Sequence, residues 1–399
     1  MITNPTRRLP TTAGGVTGPR LGAIDVARGL AVIGMILAHL AFGGTDVSLS
    51  DPGTWPGLVN GRSSILFMTL AGLSLTFIAG RPRPHAGERL VRARVRVFTR
   101  AALLLGIGAA LDLLNGGAAV ILAVYGVLFL LAMPFLRLSA RWLFVSAGIV
   151  AVAGPVLANL VPGRGGKPGS GSLATAVKDV PTDGVDLPIA ARFALEVLFT
   201  GTYPAVVWLA FLLAGMGVGR LALESRRTAA LVLAVGATIS TIGYGLGHLP
   251  GLPDPLDRLA TSAPHGGGWG EVLGSGGLAI AVIGLLLLLC RNRGVRTATW
   301  PLAALGSMTL TVYVLHIASF LLLPQEAPQQ EGDLAGTGAS PWFAAASVVA
   351  ALAIAVVWRT FRSSGPLEGV VTWISNRAAD TAPEPKHPTP GDVACKKLL

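Results

Sequence analysis

Three ionisable residues fall in or beside one apolar run: Asp25, Arg28 and His39. Asp25 and Arg28 have the i,i+3 spacing of a helical ion pair. Arg28 and His39 are eleven residues apart, about 20° around a helix axis, and Asp25 lies within roughly 60° of both. All three share one face, with His39 some 16–21 Å further along the axis. A second polar stripe, Thr309, Tyr313 and His316, recurs at i, i+4 and i+7. An imidazole changes charge near neutral pH, so it can take a proton from a reacting group and return it. Asp112 or Tyr313 could orient such a base. Two histidine-bearing faces at similar depth predict a lined cavity. The structural alternative is an ion pair sealing a helix end and two satisfied histidines, and spacing alone leaves it open.

Further candidates lie at helix ends and in connections. Arg62 opens an apolar run, and Trp55 sits in the loop 41–57 with Asp46 and Asp51. His248 precedes the segment Pro264-His265-Gly266-Gly267-Gly268-Trp269-Gly270-Glu271, whose glycines permit close backbone approach to a ligand. The stretch 81–100 reads as a basic loop with Arg81, Arg83, Arg89, Arg92, Arg94, Arg96 and Arg100. Such a patch suits anionic lipid and also phosphate, which guanidinium binds through paired hydrogen bonds. No Walker motif, dinucleotide fingerprint or metal-ligand cluster is found. Cys290 and Cys395 imply no disulfide framework.

The elements that must position these residues are membrane helices. Only 13% of the 399 residues are charged and 52% are apolar, while Gly reaches 52 residues. Soluble domains carry roughly twice that charge and half that glycine. Glycine enrichment with low charge fits tightly packed membrane helices. The fold expected is all-α and polytopic, with about ten spans near 21–43, 58–80, 97–115, 118–136, 141–161, 202–221, 228–247, 271–290, 299–323 and 342–358. The stretch 188–200 is too short and polar for a clean span and reads as an interfacial or re-entrant helix. Alternating the connections from a cytoplasmic N-terminus places 25 of 31 basic residues inside. The exceptions are Arg62, Arg164, Lys167, Lys178, Arg192 and Arg258. Both termini are therefore expected in the cytoplasm of a multi-pass cell-membrane protein. The net charge of +11 reads as topology rather than nucleic-acid binding. Residues 1–19 and 377–399 read as disordered tails around one membrane domain, 20–376, and 162–188 as a flexible external loop.

The run Arg20-Leu21-Gly22-Ala23-Ile24-Asp25-Val26-Ala27-Arg28-Gly29 through His39 resembles the first helix of the heparan-alpha-glucosaminide N-acetyltransferase-like transmembrane acyltransferases, in particular their bacterial branch. Further matches follow in order. They are Gly61-Arg62-Ser63-Ser64, Gly201-Thr202-Tyr203-Pro204, Gly219-Arg220, Ala263-Pro264-His265 with Glu271, Leu305-Gly306-Ser307-Met308-Thr309 through Tyr313, and Gly365-Pro366-Leu367-Glu368. The resemblance implies acetyl-CoA or another acyl-CoA as co-substrate, entering from the cytoplasm with its phosphates near Asp25, Arg28, Arg92, Arg96 and Arg100. Its pantetheine arm would reach toward His39. The lysosomal member has its key histidine in the loop after the first helix. Here that loop holds none, and His39 instead matches the helix-end histidine of polysaccharide O-acyltransferases.

The resulting expectation is a membrane acyltransferase with no metal. It would pass an acetyl or short acyl group to a hydroxyl or amine of a sugar, glycolipid or small molecule at the outer face. His39 is the expected base and His316 the alternative, with Asp112 or Tyr313 orienting it. Arg62, His265, Glu271 and Trp55 would meet the acceptor. The expected partners are the bilayer, acyl-CoA, the acceptor and, as an assembly, a homodimer. A small-molecule or lipid transporter is the competing reading, and the absence of paired broken helices in the hydropathy pattern counts against it.

Overall fold

The computed structural model describes residues 19–40, 50, 52–114, 120–161, 188–320 and 341–381. The expected external loop with Arg164, Lys167 and Lys178 lies outside these residues. So do Asp46, Asp51, Cys395, residues 1–18 and residues 382–399. Among the described residues the secondary structure is entirely helical. That follows from the apolar runs, because backbone amides in hydrocarbon must bond within their own segment.

Among the described residues, seven helices are long and apolar enough to cross a membrane. They are α1 (Pro19–Leu40), α2 (Arg62–Ala79), α3 (Gly87–Leu114), α5 (Ala140–Leu160), α8 (Arg226–Gly247), α10 (Trp269–Leu289) and α14 (Pro341–Phe361). Two bent pairs raise the number to nine if each is one span. In the first, α6 (Ile189–Leu195) runs through a π turn, Glu196–Thr200, and bends 58° into α7 (Ala205–Gly219). In the second, α12 (Trp300–Gly306) meets α13 (Thr309–Ser319) at 77°. The expected span at 118–136 is shorter: α4 (Leu122–Ala132) tightens into a 3-10 turn, Met133–Arg137. Short helices α9 (Leu256–Ala260) and α11 (Arg293–Ala298) lie in connections, and α15 (Pro366–Asp380) closes the described chain.

Three expectations change. The basic loop 81–100 is mostly helix, because α3 begins at Gly87 with Glu88 in its first turn. Arg89, Arg92, Arg96 and Arg100 follow one another at helical i,i+3 and i,i+4 steps, which a hydropathy window cannot see. The uninterrupted apolar run at 299–323 conceals the break at Ser307 and Met308, so broken helices are present after all. Finally, α15 carries helix to Asp380, past the expected start of the tail at 377.

Small residues set the packing, as in membrane bundles where backbones gain by close approach. The most enclosed spans are those of α1, α2 and α10. α1 lies against α12, where a Cβ at Gly306 would meet the backbone oxygen of Asp25 at 1.7 Å. α2 lies against α7, where a Cβ at Gly215 would meet the Thr69 oxygen at 1.9 Å. α8 and α10 approach through Gly236, Gly243 and Gly277. Overpacking of this kind costs about 1–3 kcal/mol. Gly306→Ala should therefore lower the melting temperature in detergent and displace the α1 residue Asp25. Gly106→Ala, which meets nothing within 4 Å, is the control expected to leave it unchanged.

Candidate functional site

The two polar stripes read from the sequence meet. His39 Nδ1 lies 3.1 Å from His316 Nε2, with the rings stacked at 5.3 Å between centroids and 5° between planes. Phe320 stands edge-on to both imidazoles. Both histidines are buried. Neutral imidazole carries one N–H, so a bond between two imidazoles makes one ring the donor. If His39 Nδ1–H donates, His39 Nε2 keeps its lone pair and His316 supports any charge His39 acquires.

A third imidazole joins them from the loop before α10. His265 is within electrostatic reach of His39 and packs edge-on to Tyr203, 5.3 Å between centroids. Its backbone is held at φ 61°, a region where non-glycine residues are uncommon. Glu271 imposes this shape. Its buried carboxylate accepts from the backbone N–H of His265 at 2.7 Å and of Gly267 at 2.6 Å. The preceding Pro264 abuts Gly61, where a Cβ would come within 3.1 Å of it. Two short sequence matches, Gly61-Arg62-Ser63-Ser64 and Ala263-Pro264-His265, are thus neighbours. His265 Nδ1 is buried and has no hydrogen-bond partner.

Tyrosines extend the cluster. Tyr313 OH accepts from the Ile121 N–H at 3.2 Å, and it is within electrostatic reach of Tyr203 and of Asp112. Tyr125 is in reach of Tyr313 and Tyr203, and its hydroxyl is buried without a partner. Tyr203 also hydrogen-bonds Ser64. His39, His316, His265, Tyr313 and Asp112 were all read from the sequence, whereas Tyr125, Tyr203 and Phe320 were not singled out. Tyr203 had one signal, its place in Gly201-Thr202-Tyr203-Pro204 beside the bend.

Burial pushes the His265 imidazole down to about 4, with the nearby His39 adding to the effect. The unfolded chain therefore binds more protons than the folded one between about pH 6.5 and 4. Stability from this residue is complete above about pH 6.5 and is lost as the pH falls toward 4. His265→Asn removes the titration, and Asn tolerates positive φ. The fall in melting temperature between pH 6.5 and 4.5 should be shallower in this variant than in the wild type. Equal slopes would remove His265 as a source of acid sensitivity.

A second cluster forms at the other end of α1. Arg28 Nη1 donates to Asp25 at 2.8 Å and Nη2 donates to Ser74 Oγ at 2.6 Å. Arg100, on α3, lies in electrostatic reach of Arg96 and Arg28. It donates to Ser375 and Thr372 of α15, both at 3.3 Å. Arg359 is in reach of Asp25. The Arg96 Nε is buried with no partner. Cations gathered this closely disfavour one another unless anions balance them, and Asp25 supplies one negative charge. The donor set suits phosphate groups, which accept from paired guanidinium N–H.

Three further candidates make contacts of their own, and a fourth, Trp55, is exposed. Arg92 pairs with Glu88 on the exposed side of α3. Arg62 donates to Tyr244 OH at 2.7 Å and to the carbonyl oxygens of Gly57 and Leu58, and it lies over the Tyr244 ring. It therefore ties the entry to α2 onto α8. Glu271 holds the His265 loop through backbone N–H groups, as described. Trp55 is 48% exposed on the 3-10 turn Pro52–Leu58. Among the described residues, no group of three or more His, Cys, Asp or Glu could hold a metal ion.

A helical bundle with a buried imidazole cluster at one end of its first helix and an arginine cluster at the other has the form of a polytopic membrane protein. Comparison with known families narrows this. Residues 20–244 match the family model described as heparan-alpha-glucosaminide N-acetyltransferase, catalytic, which covers more than half of the chain. The chain belongs to this family of transmembrane acetyltransferase type. Residues 217–378 match a second model, described as a protein of unknown function (DUF418). No curated protein matches the chain.

Proposed function

We propose that the protein moves an acetyl or short acyl group from a cytoplasmic acyl-CoA to a hydroxyl or amine of a sugar, glycolipid or small-molecule acceptor at the outer face of the cell membrane. The observation that carries this reading is the polarity of α1. Its Arg28 end is in reach of Arg100, which is itself in reach of Arg96, and its His39 end meets His316. Eleven residues separate them, about 16 Å, a span suited to the extended arm of a CoA thioester.

In this reading Arg28, Arg96 and Arg100 take the donor's phosphates. His39 Nε2 accepts the proton of the acceptor O–H or N–H while His39 Nδ1–H bonds His316. The acceptor oxygen or nitrogen bonds to the thioester carbonyl carbon, and the C–S bond breaks. The departing sulfur takes the proton back from His39, leaving free CoA thiol and acylated acceptor. The Tyr125 hydroxyl, buried and unpartnered, is suited to donate to the carbonyl oxygen as charge develops on it. In this topology both termini are cytoplasmic and the helix Leu122–Arg137 is the tenth crossing.

The bent pairs favour a second reading, a transporter, because broken helices line substrate paths in that class. Thermal stability of the detergent-purified protein against acetyl-CoA, with free CoA and ATP as controls, separates the two. A ligand at 100 times its Kd adds about 2.7 kcal/mol. Saturable stabilisation by acetyl-CoA that ATP does not reproduce, weakened in Arg96→Ala, is expected for the acyltransferase. No shift at millimolar acetyl-CoA in folded protein would put the transporter first.

A further inference from the structure

Arg220, of the sequence match Gly219-Arg220, takes no part in the imidazole or donor clusters. It directly follows α7 and is only 3% exposed. Its Nη2 donates to the Leu136 carbonyl oxygen of the 3-10 turn Met133–Arg137 at 2.6 Å. Its Nε and Nη1 are buried with no hydrogen-bond partner. Burial pushes its pKa down to about 10, the direction of a cation with no anion beside it. A guanidinium does not give up its proton in a protein, so Arg220 stays charged. A buried charge with unused donors is costly until a partner meets it.

The turn that follows, residues 221–225, gathers more cations. Arg81, just past the end of α2, donates to the carbonyl oxygens of Gly219 at 3.1 Å and Leu221 at 3.0 Å. It also lies 3.7 Å from the Glu224 carboxylate. Arg291, just past the end of α10, donates to the Glu224 carbonyl oxygen at 2.6 Å. α8 then opens on Arg226 and Arg227 with no acidic residue in its first turn, although that end of a helix favours negative charge. Between Arg220 and Arg227 the sequence holds one acidic residue, Glu224. Topology accounts for arginines at the membrane surface. It does not account for one enclosed in the bundle with two donors unused.

We infer that Arg220 is the core of an anion site at the turn between α7 and α8, which takes a phosphate group drawn in by Arg81, Arg291, Arg226 and Arg227. Phosphate supplies the negative charge that Arg220 lacks and several oxygens to accept from its N–H groups. Bound there, it would tie the turn after α4 to the end of α7. The site is distinct from the donor cluster. Arg28 reaches Ser74 on α2, whereas Gly219 packs on Thr76, about 200° around the α2 axis. The inference therefore does not depend on the acyltransferase reading. A phospholipid headgroup and a soluble phosphate present the same chemistry, and basic pockets between membrane helices take headgroups.

The test titrates the full chain, stripped of lipid in dodecyl maltoside, and reads its melting temperature. One probe is inorganic phosphate, with sodium chloride at matched ionic strength as control. The other is dihexanoyl phosphatidylglycerol, with dihexanoyl phosphatidylcholine as control. At least one probe should stabilise the protein saturably beyond its control. A response to phosphatidylglycerol alone assigns a lipid headgroup, and a response to inorganic phosphate assigns a soluble source. Arg220→Gln, which removes the charge and keeps an amide donor, should weaken the apparent affinity at least tenfold. The double variant Arg226→Gln/Arg227→Gln, at the exposed start of α8, should weaken it severalfold and decides the matter if Arg220→Gln does not fold. No response to either probe overturns the inference. So does an affinity unchanged in folded Arg220→Gln or, failing that variant, in the double variant. The same titrations in Arg96→Ala take out the donor cluster. A response that Arg96→Ala abolishes belongs to that cluster and also overturns the inference.

Discussion

His39→Ala should lower acyl transfer by about a hundred- to ten-thousand-fold, the range for loss of a general base, while acetyl-CoA still stabilises the protein. His316→Gln is the informative companion. Glutamine keeps an oxygen that can accept from His39 Nδ1–H but cannot share positive charge as an imidazole does. Its loss should be smaller than that of His316→Ala, and the pH dependence of kcat should shift relative to the wild type. The measurement is single-turnover acyl transfer with purified variants across pH 5.5–8.5. Wild-type turnover in His39→Ala would remove His39 as the base and turn attention to His265, the third imidazole of the cluster.

Glu368→Ala should be the most damaging substitution outside the imidazole cluster. Glu368 belongs to α15, yet its carboxylate accepts from the backbone N–H of Leu310 at 2.6 Å and of Thr311 at 3.1 Å, and from Thr311 Oγ1 at 2.6 Å. These groups begin α13 at the 77° break, where the first N–H groups of a helix lack partners and a negative charge is favoured. Losing a charged acceptor with three bonds costs roughly 2–4 kcal/mol. The side chains displaced with α13 include Tyr313 and His316. Hydrogen exchange at residues 309–313 should accelerate, the melting temperature should fall, and transfer should fall with it. Glu368→Gln, which keeps one acceptor oxygen, should lie between Ala and the wild type. Unchanged exchange at 309–313 would show that the break is held by packing alone.

Apolar run length was enough to find the long spans, because hydrocarbon demands about 20 apolar residues of any helix that crosses it. The facing histidines were legible too, since a 100° helical step places His39 with Arg28 and His316 with Tyr313 whatever the surroundings. The break near residue 201 was legible as well, since 188–200 is too short and polar to join the span that follows it, but the bend at 307–308 was not. The run through Ser307 and Met308 stays apolar, and its break is held by Glu368, about sixty residues away in the chain. His265 was visible as a residue but not as a neighbour of His39, because its position depends on the Glu271 clasp. The start of α3 was missed for the opposite reason. Its first turns are too basic to read as span, though their arginines keep helical spacing.

α15 has a consequence for the order in which the molecule is completed. Arg100 reaches Ser375 and Thr372 on this helix, and Glu368 from the same helix holds the start of α13. A ribosome synthesising the chain releases every other described helix before this one. Until α15 emerges and docks, the arginine cluster lacks two of its anchors and the helix bearing His316 lacks its clamp. A truncated or stalled product would therefore reach the membrane with its spans inserted but its site unassembled, and chemistry would begin only after the last described helix had been made.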